Sequence, residues 1–188
     1  MKFLKWFLIV IAALVLLVVF VGIPYMREQT KKHSPQKTSS YKQDGLDLSV
    51  AYSSPFKKGR VIFGDLVPYG AVWRTGANEP STFTTATEIK LVDKVLPAGK
   101  YSLWTIPQKE QWTVMFNSEI PDWGVTITSG GTETPYDPTY DAVRITAPVA
   151  SIPMEQESFL IDFEKAEHLS LILSWDRTQV KIPINLKP

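Results

Sequence analysis

Residues 71–81, AVWRTGANEPS, bring four kinds of side-chain chemistry together around one glycine. Trp73 supplies an indole, Arg74 a guanidinium, Asn78 a carboxamide and Glu79 a carboxylate. An arginine binds a carboxylate or phosphate through paired hydrogen bonds, and an indole offers a flat surface for stacking. The stretch therefore predicts a loop in which these four residues contact a ligand or a protein partner.

The same residues also fit a purely structural role. Arg74 would then pair inside the protein with Glu79 or another carboxylate, while Asn78 closes a turn and Trp73 fills the core. Buried ion pairs of this kind tie loops down, and breaking one is costly. Residue types alone leave both interpretations, binding loop and structural clamp, open.

A second candidate contact lies in the segment PDWGV, where Asp122 and Trp123 are adjacent. Glu79 with Asp122 or Asp65 would form the carboxylate pair that glycan hydrolysis uses, provided that the fold brings the two side chains together. The chain has no Gly-x-Ser-x-Gly, HExxH or phosphate-loop motif. We therefore assign no catalytic residue, and an enzyme is the less favoured class.

The tryptophans offer an alternative function, the binding of carbohydrate on exposed rings. Trp112 and Trp175 fall in phase with apolar neighbours in predicted strands, so both are expected in the core. Trp104 and Trp123 are less constrained by the pattern and are the candidates for exposed rings.

Composition argues against several partners and cofactors. The chain has 20 Lys+Arg and 19 Asp+Glu, which gives no electrostatic reason for a nucleic-acid partner. It has no cysteine, and its two histidines, His33 and His168, form no local metal motif. Glu133, Asp137 and Asp141 supply oxygens that suit calcium, but without a calcium-loop spacing they predict a solvated loop. We expect no metal site and no cofactor.

The N-terminus predicts a membrane span. Residues 6–26 carry no charge and, as a helix, would extend about 30 Å, which is the thickness of a bilayer core. A cleaved signal peptide would have a shorter apolar run and a small-x-small site, so we favour an uncleaved signal anchor. Residues 1–5 are then a cytoplasmic tail, the helix contacts the lipid of the inner membrane, and the rest of this single-pass protein is periplasmic.

The remainder divides into a polar stem, residues 27–45, and a domain, residues 46–188. The domain shows short alternating runs separated by Pro and Gly and no sustained helical period, which is typical of antiparallel strands. Residues 96–107 and 110–117 are predicted to form a hairpin. Residues 169–175 and 178–186 are predicted as two strands joined by a turn at Asp176-Arg177. About nine or ten such strands predict an all-β fold, an antiparallel β-sandwich or jelly-roll-like domain.

Two long stretches resemble a known bacterial family. They are AYSSPFKKGRVIFGDLVPYGAVWRTGANEPSTFTTATEIKL and LPAGKYSLWTIPQKEQWTVMFN, and they are similar to the family called domain of unknown function 2911, common in the Bacteroidetes. The similarity runs from about Leu46 to Ile184. It implies an exported protein with no assigned activity, and it makes residues 73–79 the place for a shared site or a shared clamp. The segment DWGVTITSGGTE departs from the family pattern.

These observations converge on a membrane-anchored extracytoplasmic β-sandwich. Its expected role is that of a non-catalytic binding, accessory or scaffold protein of the bacterial envelope, either alone or as a subunit of a membrane complex. The partner would be an envelope protein or a glycan. The alternative is a protein that binds or hydrolyses a glycan by means of Glu79 and Asp122.

Overall fold

The computed structural model describes residues 2–126 and 129–186. The chain divides into two compact units, Met1–His33 and Ser34–Pro188. The first is helical and the second is built almost entirely of β-strands. Each is described by itself below.

The first unit is a helix that is apolar on all sides through its first part and polar from Arg27 onward. It consists of α1 (Lys2–Leu17), a π-helical turn (Val18–Gly22) and α2 (Ile23–His33). The most apolar window of Phe3–His33 has a mean hydropathy of 3.2, and none of that window is buried in the protein. By length and composition this helix can cross a membrane, a property that it shares with signal sequences.

The boundaries of the polar stem differ from those predicted. Helix α2 continues to His33, and β1 (Gln36–Gln43) already belongs to the sheet, so residues 27–45 are not an unstructured linker. Strand β1 is polar because it is an edge strand with one face in solvent. Its inner face carries Ser39, which donates a hydrogen bond to Asp162, and Tyr41. Polar edge strands of this kind resist pairing with other chains, and they lack the apolar alternation that sequence analysis relies on.

Eight further strands complete a nine-stranded antiparallel sheet in the described part of the chain. They are β2 (Leu46–Ser53), β3 (Ser81–Thr85), β4 (Ile89–Leu91), β5 (Lys94–Leu96), β6 (Gly99–Ile106), β7 (Gln111–Asn117), β8 (Asp141–Lys165) and β9 (Leu169–Leu186). The strand order is β1-β2-β3-β6-β7-β8-β9-β4-β5. The predicted hairpin is confirmed, since β6 and β7 pair in antiparallel register.

Strand β8 turns the sheet into two layers. Its first part, up to Pro148, pairs with β7, and its second part, from Val149, pairs with β9 after register shifts. The second part packs back over the first strands: the ring of Phe163 lies 6.3 Å from that of Phe83, and the ring of Phe159 lies 5.9 Å from that of Tyr52. The all-β antiparallel prediction is therefore confirmed.

One predicted connection is wrong. The final strands form a single strand, β9, and Asp176 lies within it in the left-handed region with φ 56°. Lys57 contacts this bulge, with its Nζ 2.7 Å from a carboxylate oxygen of Asp176. The side chain of Lys57 thus supports a backbone irregularity that the local sequence presents as a turn.

The two faces of β6 and β7 are both covered. Trp112, Val114 and Phe116 point into the core, as predicted. On the opposite face, Trp104 is fully buried beneath the segment 118–140, with its ring 5.6 Å from that of Tyr136. Trp104 is therefore not an exposed ring, and the predicted carbohydrate platform loses this member.

Candidate functional site

The loop of residues 71–81 is fixed to the end of strand β6. Trp73 and Thr105 exchange two backbone hydrogen bonds, of 2.7 and 2.9 Å. The chain then turns sharply through positive φ angles at Thr75, Gly76 and Asn78. The backbone of this loop is therefore set before any ligand is considered.

Gly76 is required by a close approach between two backbones. A Cβ atom at this position would lie 2.9 Å from the carbonyl oxygen of Ser53, and φ is +147°. The neighbouring Thr75 is fully buried, and its carbonyl oxygen accepts a 2.5 Å hydrogen bond from Ser81. These positions of the motif hold the loop onto strands β2 and β3.

Trp73 belongs mainly to the core. It is 8% exposed, its Nε1 donates to the carbonyl oxygen of Gly76 at 3.0 Å, and its ring stacks at 6.1 Å on that of Trp175. Phe159 packs against it from another side at 5.0 Å. Only a small part of the indole reaches the surface, so Trp73 is not the open stacking wall that the sequence suggested.

Asn78 is a buried support for the loop. It is 7% exposed, and its backbone carbonyl accepts a hydrogen bond from the N–H of Gly124 at 3.0 Å. Its side-chain nitrogen lies 3.5 Å from the hydroxyl of Ser53. Asn78 thereby joins the motif to the PDWGV segment, which the sequence had marked as a separate candidate.

Arg74 is different from its neighbours in the motif. Its Nε is buried and has no hydrogen-bond partner in the described part of the chain. Burial lowers the pKa of this guanidinium below its ordinary value. Within that same part of the chain Arg74 and Glu79 form no ion pair, so the predicted internal clamp between these two residues is not present.

Gly124 makes room for the Arg74 side chain. A Cβ atom on Gly124 would lie 2.1 Å from Cδ of Arg74 and 2.8 Å from the carbonyl oxygen of Asn78. The aliphatic part of the arginine therefore lies directly on the backbone of the PDWGV segment. This contact orients the guanidinium without neutralising it.

Arg74 lines a surface depression of about 290 Å³, which we call the Arg74 pocket. Among the described residues, most of its lining is apolar, and the polar side chains are one arginine and two threonines. The lining residues are Leu66, Val67, Pro68, Ala71, Val72, Trp73, Arg74, Val125, Gly131, Thr132 and Thr134.

Glu79 and Asp122 share a second depression of about 310 Å³, which we call the Glu79 pocket. It lies on the outer face of β2, β3 and β6 and also includes a lysine, Lys100. The lining residues are Gln36, Ala51, Tyr52, Ser53, Glu79, Pro80, Thr82, Lys100, Ile120, Pro121 and Asp122. Asp65, the other carboxylate considered as a partner of Glu79, does not line this pocket.

The six predicted site residues thus do not form one site. Trp73 and Arg74 line one pocket, and Glu79 and Asp122 line another, with Asn78 buried as a support. Trp123 is half-buried and follows Asp122 directly in the chain. No group of three potential metal ligands occurs among the residues that the structure describes.

Several lining residues were missed by sequence reasoning. Lys100 could have been found, because it alternates with the inward residue Tyr101 on β6 and therefore lies on the outer face. Thr132 and Thr134 could not have been found, because their loop has no periodicity from which a direction can be read. They line the Arg74 pocket because of where their loop crosses the sheet, which the sequence does not indicate.

Residues 34–184 match the family model described as "Protein of unknown function (DUF2911)". The match begins where the β-rich unit begins and ends within β9, so it includes the lining of both pockets. Neither a search of the curated proteins nor a search of the solved structures finds a match to the chain.

Proposed function

The chain belongs to this family, and we propose that it is a membrane-anchored, non-catalytic binding protein of the bacterial envelope. In this proposal the Arg74 pocket binds the anionic group of a ligand or partner. The observation that carries the proposal is the buried Nε of the Arg74 guanidinium, which lacks a hydrogen-bond partner in the described part of the chain.

The energetics of Arg74 support a binding role over a structural one. Removing a charged group from water is unfavourable unless an opposite charge or hydrogen bonds compensate for the loss. At Arg74 burial lowers the pKa, and no carboxylate in the described part of the chain opposes that effect. A ligand whose oxygens accept hydrogen bonds from Arg74 would compensate for this loss.

Arginine is suited to this task because its guanidinium stays charged and presents a planar set of donors. Its orientation is fixed in advance by Gly124 and by the loop backbone from Trp73 to Asn78. A pre-oriented donor group loses less conformational entropy on binding than a flexible one. The rigid parts of the motif and the desolvated arginine therefore serve a single purpose, to present one cation to a pocket.

The N-terminal helix supports the placement of this domain at a membrane. Its apolar length matches a bilayer core, as it does in a signal anchor. We place the helix in the inner membrane as an uncleaved anchor and the β-domain in the periplasm. In this position the domain acts as an accessory or scaffold protein, which presents or receives an anionic ligand at the membrane.

The test is a ligand-observed NMR titration of the full chain in lipid nanodiscs with sodium acetate and inorganic phosphate. At least one of these anions should bind, and Arg74→Met should weaken that binding at least tenfold. Arg177→Met is the matched control, because it removes an exposed arginine that donates only to the carbonyl oxygen of Pro153. Binding of neither anion, or equal binding to Arg74→Met, would contradict the proposal. The same spectra should show both anions chemically unchanged.

A second candidate function belongs to the Glu79 pocket. The observation in its favour is that Glu79 and Asp122 line one depression together with Lys100. These groups would bind or hydrolyse a glycan, with one carboxylate as acid and the other as base or nucleophile. Glycan binding with loss on Glu79→Gln and Asp122→Asn, but not on Arg74→Met, would favour this candidate over the first.

A further inference from the structure

We propose that the Arg74 pocket takes an aliphatic carboxylate, with the carboxylate on the guanidinium of Arg74 and the hydrocarbon chain along the apolar lining. This inference rests on the proposed function, since it names the ligand class of the same site. It goes beyond that function by requiring that the anion carry a hydrocarbon chain.

The lining of the pocket indicates that the part of the ligand beyond its anionic group is apolar. Apolar side chains surround the arginine, among them Leu66, Val72 and Val125, whereas the described lining contains no acidic residue. A small inorganic anion would satisfy the guanidinium and leave this apolar surface in water. An aliphatic chain would cover it, and the burial of apolar surface is the main favourable term in binding of this kind.

The number of polar groups in the pocket indicates that the anionic group of the ligand is a carboxylate. A single guanidinium with two threonines supplies one positive charge and a few donors, which matches a carboxylate held by an arginine fork. A phosphate dianion in a protein site is usually met by several cations or by a series of backbone N–H groups. The one positive charge of Arg74 matches the single negative charge of a carboxylate.

The size and rim of the pocket suit a short chain. Its volume of about 290 Å³ is at the lower end of the range for small-molecule sites. Leu66, which lines the pocket, is 43% exposed, so a longer chain would leave the pocket across its side chain.

The experiment is a ligand-observed NMR titration of the full chain in nanodiscs with butyrate, hexanoate, hexanamide and inorganic phosphate, with empty nanodiscs as the blank. Each additional buried methylene should tighten binding roughly three- to fourfold, so hexanoate should bind about tenfold more tightly than butyrate. Hexanamide, which has the same chain without the charge, should bind at least tenfold more weakly than hexanoate. Hexanoate should also bind more tightly than phosphate.

Variants separate the contributions of head group and chain. Arg74→Met should abolish the difference in affinity between hexanoate and hexanamide. Arg74→Lys keeps the positive charge but loses the paired donors of the guanidinium, so it should reduce that difference. Val125→Thr keeps the shape of the side chain and makes it polar, so it should reduce the gain from butyrate to hexanoate. Arg177→Met should change neither the affinity difference between hexanoate and hexanamide nor the gain in affinity from butyrate to hexanoate.

Two results would overturn the inference, and they can be told apart. Binding of phosphate or butyrate that depends on Arg74, with no gain for hexanoate, would leave the binding function intact and reject the aliphatic ligand. Absence of any Arg74-dependent binding would reject both proposals.

Discussion

At the scale of single residues, the WRTGANE motif divides into supports and one presented group. Thr75, Gly76 and Asn78 hold the backbone in its turn, and Trp73 is part of the core. Arg74 is half-buried, and its buried Nε has no hydrogen-bond partner among the described residues. In the proposed function, the same short stretch therefore contains both of the roles that its residue types allow.

Substitution of Gly124 should disturb the loop and the arginine together. Gly124→Ala places a Cβ 2.1 Å from Cδ of Arg74 and 2.8 Å from a backbone oxygen, so the PDWGV segment must move. We expect the free energy of unfolding to fall by about 1–3 kcal/mol, as is typical for overpacking. Urea denaturation of the full chain in nanodiscs, followed by tryptophan fluorescence, measures this change.

Gly130→Ala is the control for that substitution. Gly130 lies six residues after Gly124, and its Cβ would meet no atom within 4 Å, although its φ of +66° gives a backbone penalty of up to about 1 kcal/mol. A loss for Gly124→Ala no larger than that for Gly130→Ala would show that the close contact with Arg74 is unimportant.

Tyr136 should make the domain sensitive to alkaline pH. Burial and the hydrogen bond to Asp141 raise the pKa of Tyr136 above its ordinary value, because both favour the neutral phenol. A pKa that is raised in the folded state stabilises the fold at and below the unfolded pKa of tyrosine, about 10, and that stabilisation is lost as the pH rises further. The stability of the wild-type chain should therefore fall above about pH 10 more steeply than that of Tyr136→Phe, in thermal unfolding at several pH values. If the stability of the wild type and that of Tyr136→Phe fell equally with pH, Tyr136 would not be the cause of the alkaline sensitivity.

At the scale of elements, residues 118–126 and 129–140 cover the outer face of β6 and β7 at Trp104. Sequence reasoning predicted a solvated loop around Glu133, Asp137 and Asp141, because these residues lack a calcium-loop spacing. In the structure, Asp141 accepts hydrogen bonds from Tyr136, Asn117 and Arg144, and these bonds hold the end of the segment against the sheet. Loop polarity here serves internal hydrogen bonds as well as solvation.

Loss of this network should release the segment without unfolding the sheet. Asp141→Asn weakens three hydrogen bonds, and we expect a loss of about 1–3 kcal/mol and faster amide hydrogen exchange across the segment 118–140. Asp93→Asn, at the exposed turn between β4 and β5, is the matched control and should have little effect. Unchanged exchange in Asp141→Asn would mean that other contacts hold the segment.

Local pattern predicted the elements that are defined locally. The β6–β7 hairpin and the inward face of Trp112, Val114 and Phe116 followed from alternation and a short turn. Strand β1 was missed because its polar residues are those of an edge, and β9 was divided in two because Asp176 resembles a turn residue. The two pockets could not be predicted, because they depend on where the segment 118–140 crosses the sheet.

At the scale of the whole molecule, one helix and one β-domain account for the described residues. The family model covers the β-domain and leaves out the helix. The helix that is long and apolar enough to cross a membrane therefore lies outside the family match, and its proposed role as an anchor can be tested separately from ligand binding.

The anchor predicts that the chain stays in the membrane at full length. The protein purified from membranes after an alkaline carbonate wash should have the mass of the complete chain, 21.2 kDa. A reporter enzyme that is active only in the periplasm should be active when fused to the C-terminus. A shorter product in the soluble fraction would contradict the uncleaved anchor, and an inactive reporter would contradict the orientation.

The central claim is that Arg74 is held for a ligand rather than for stability, and the stability of Arg74→Met tests it most directly. Methionine keeps an unbranched apolar stem beside Gly124 and removes the desolvated charge. The thermal unfolding midpoint of the ligand-free chain in nanodiscs should therefore stay within about 3 °C of the wild-type value or rise, which corresponds to a loss of no more than about 1 kcal/mol. A fall that corresponds to about 3–5 kcal/mol, the loss expected on breaking a buried ion pair, would show that Arg74 is a structural clamp and would contradict the account.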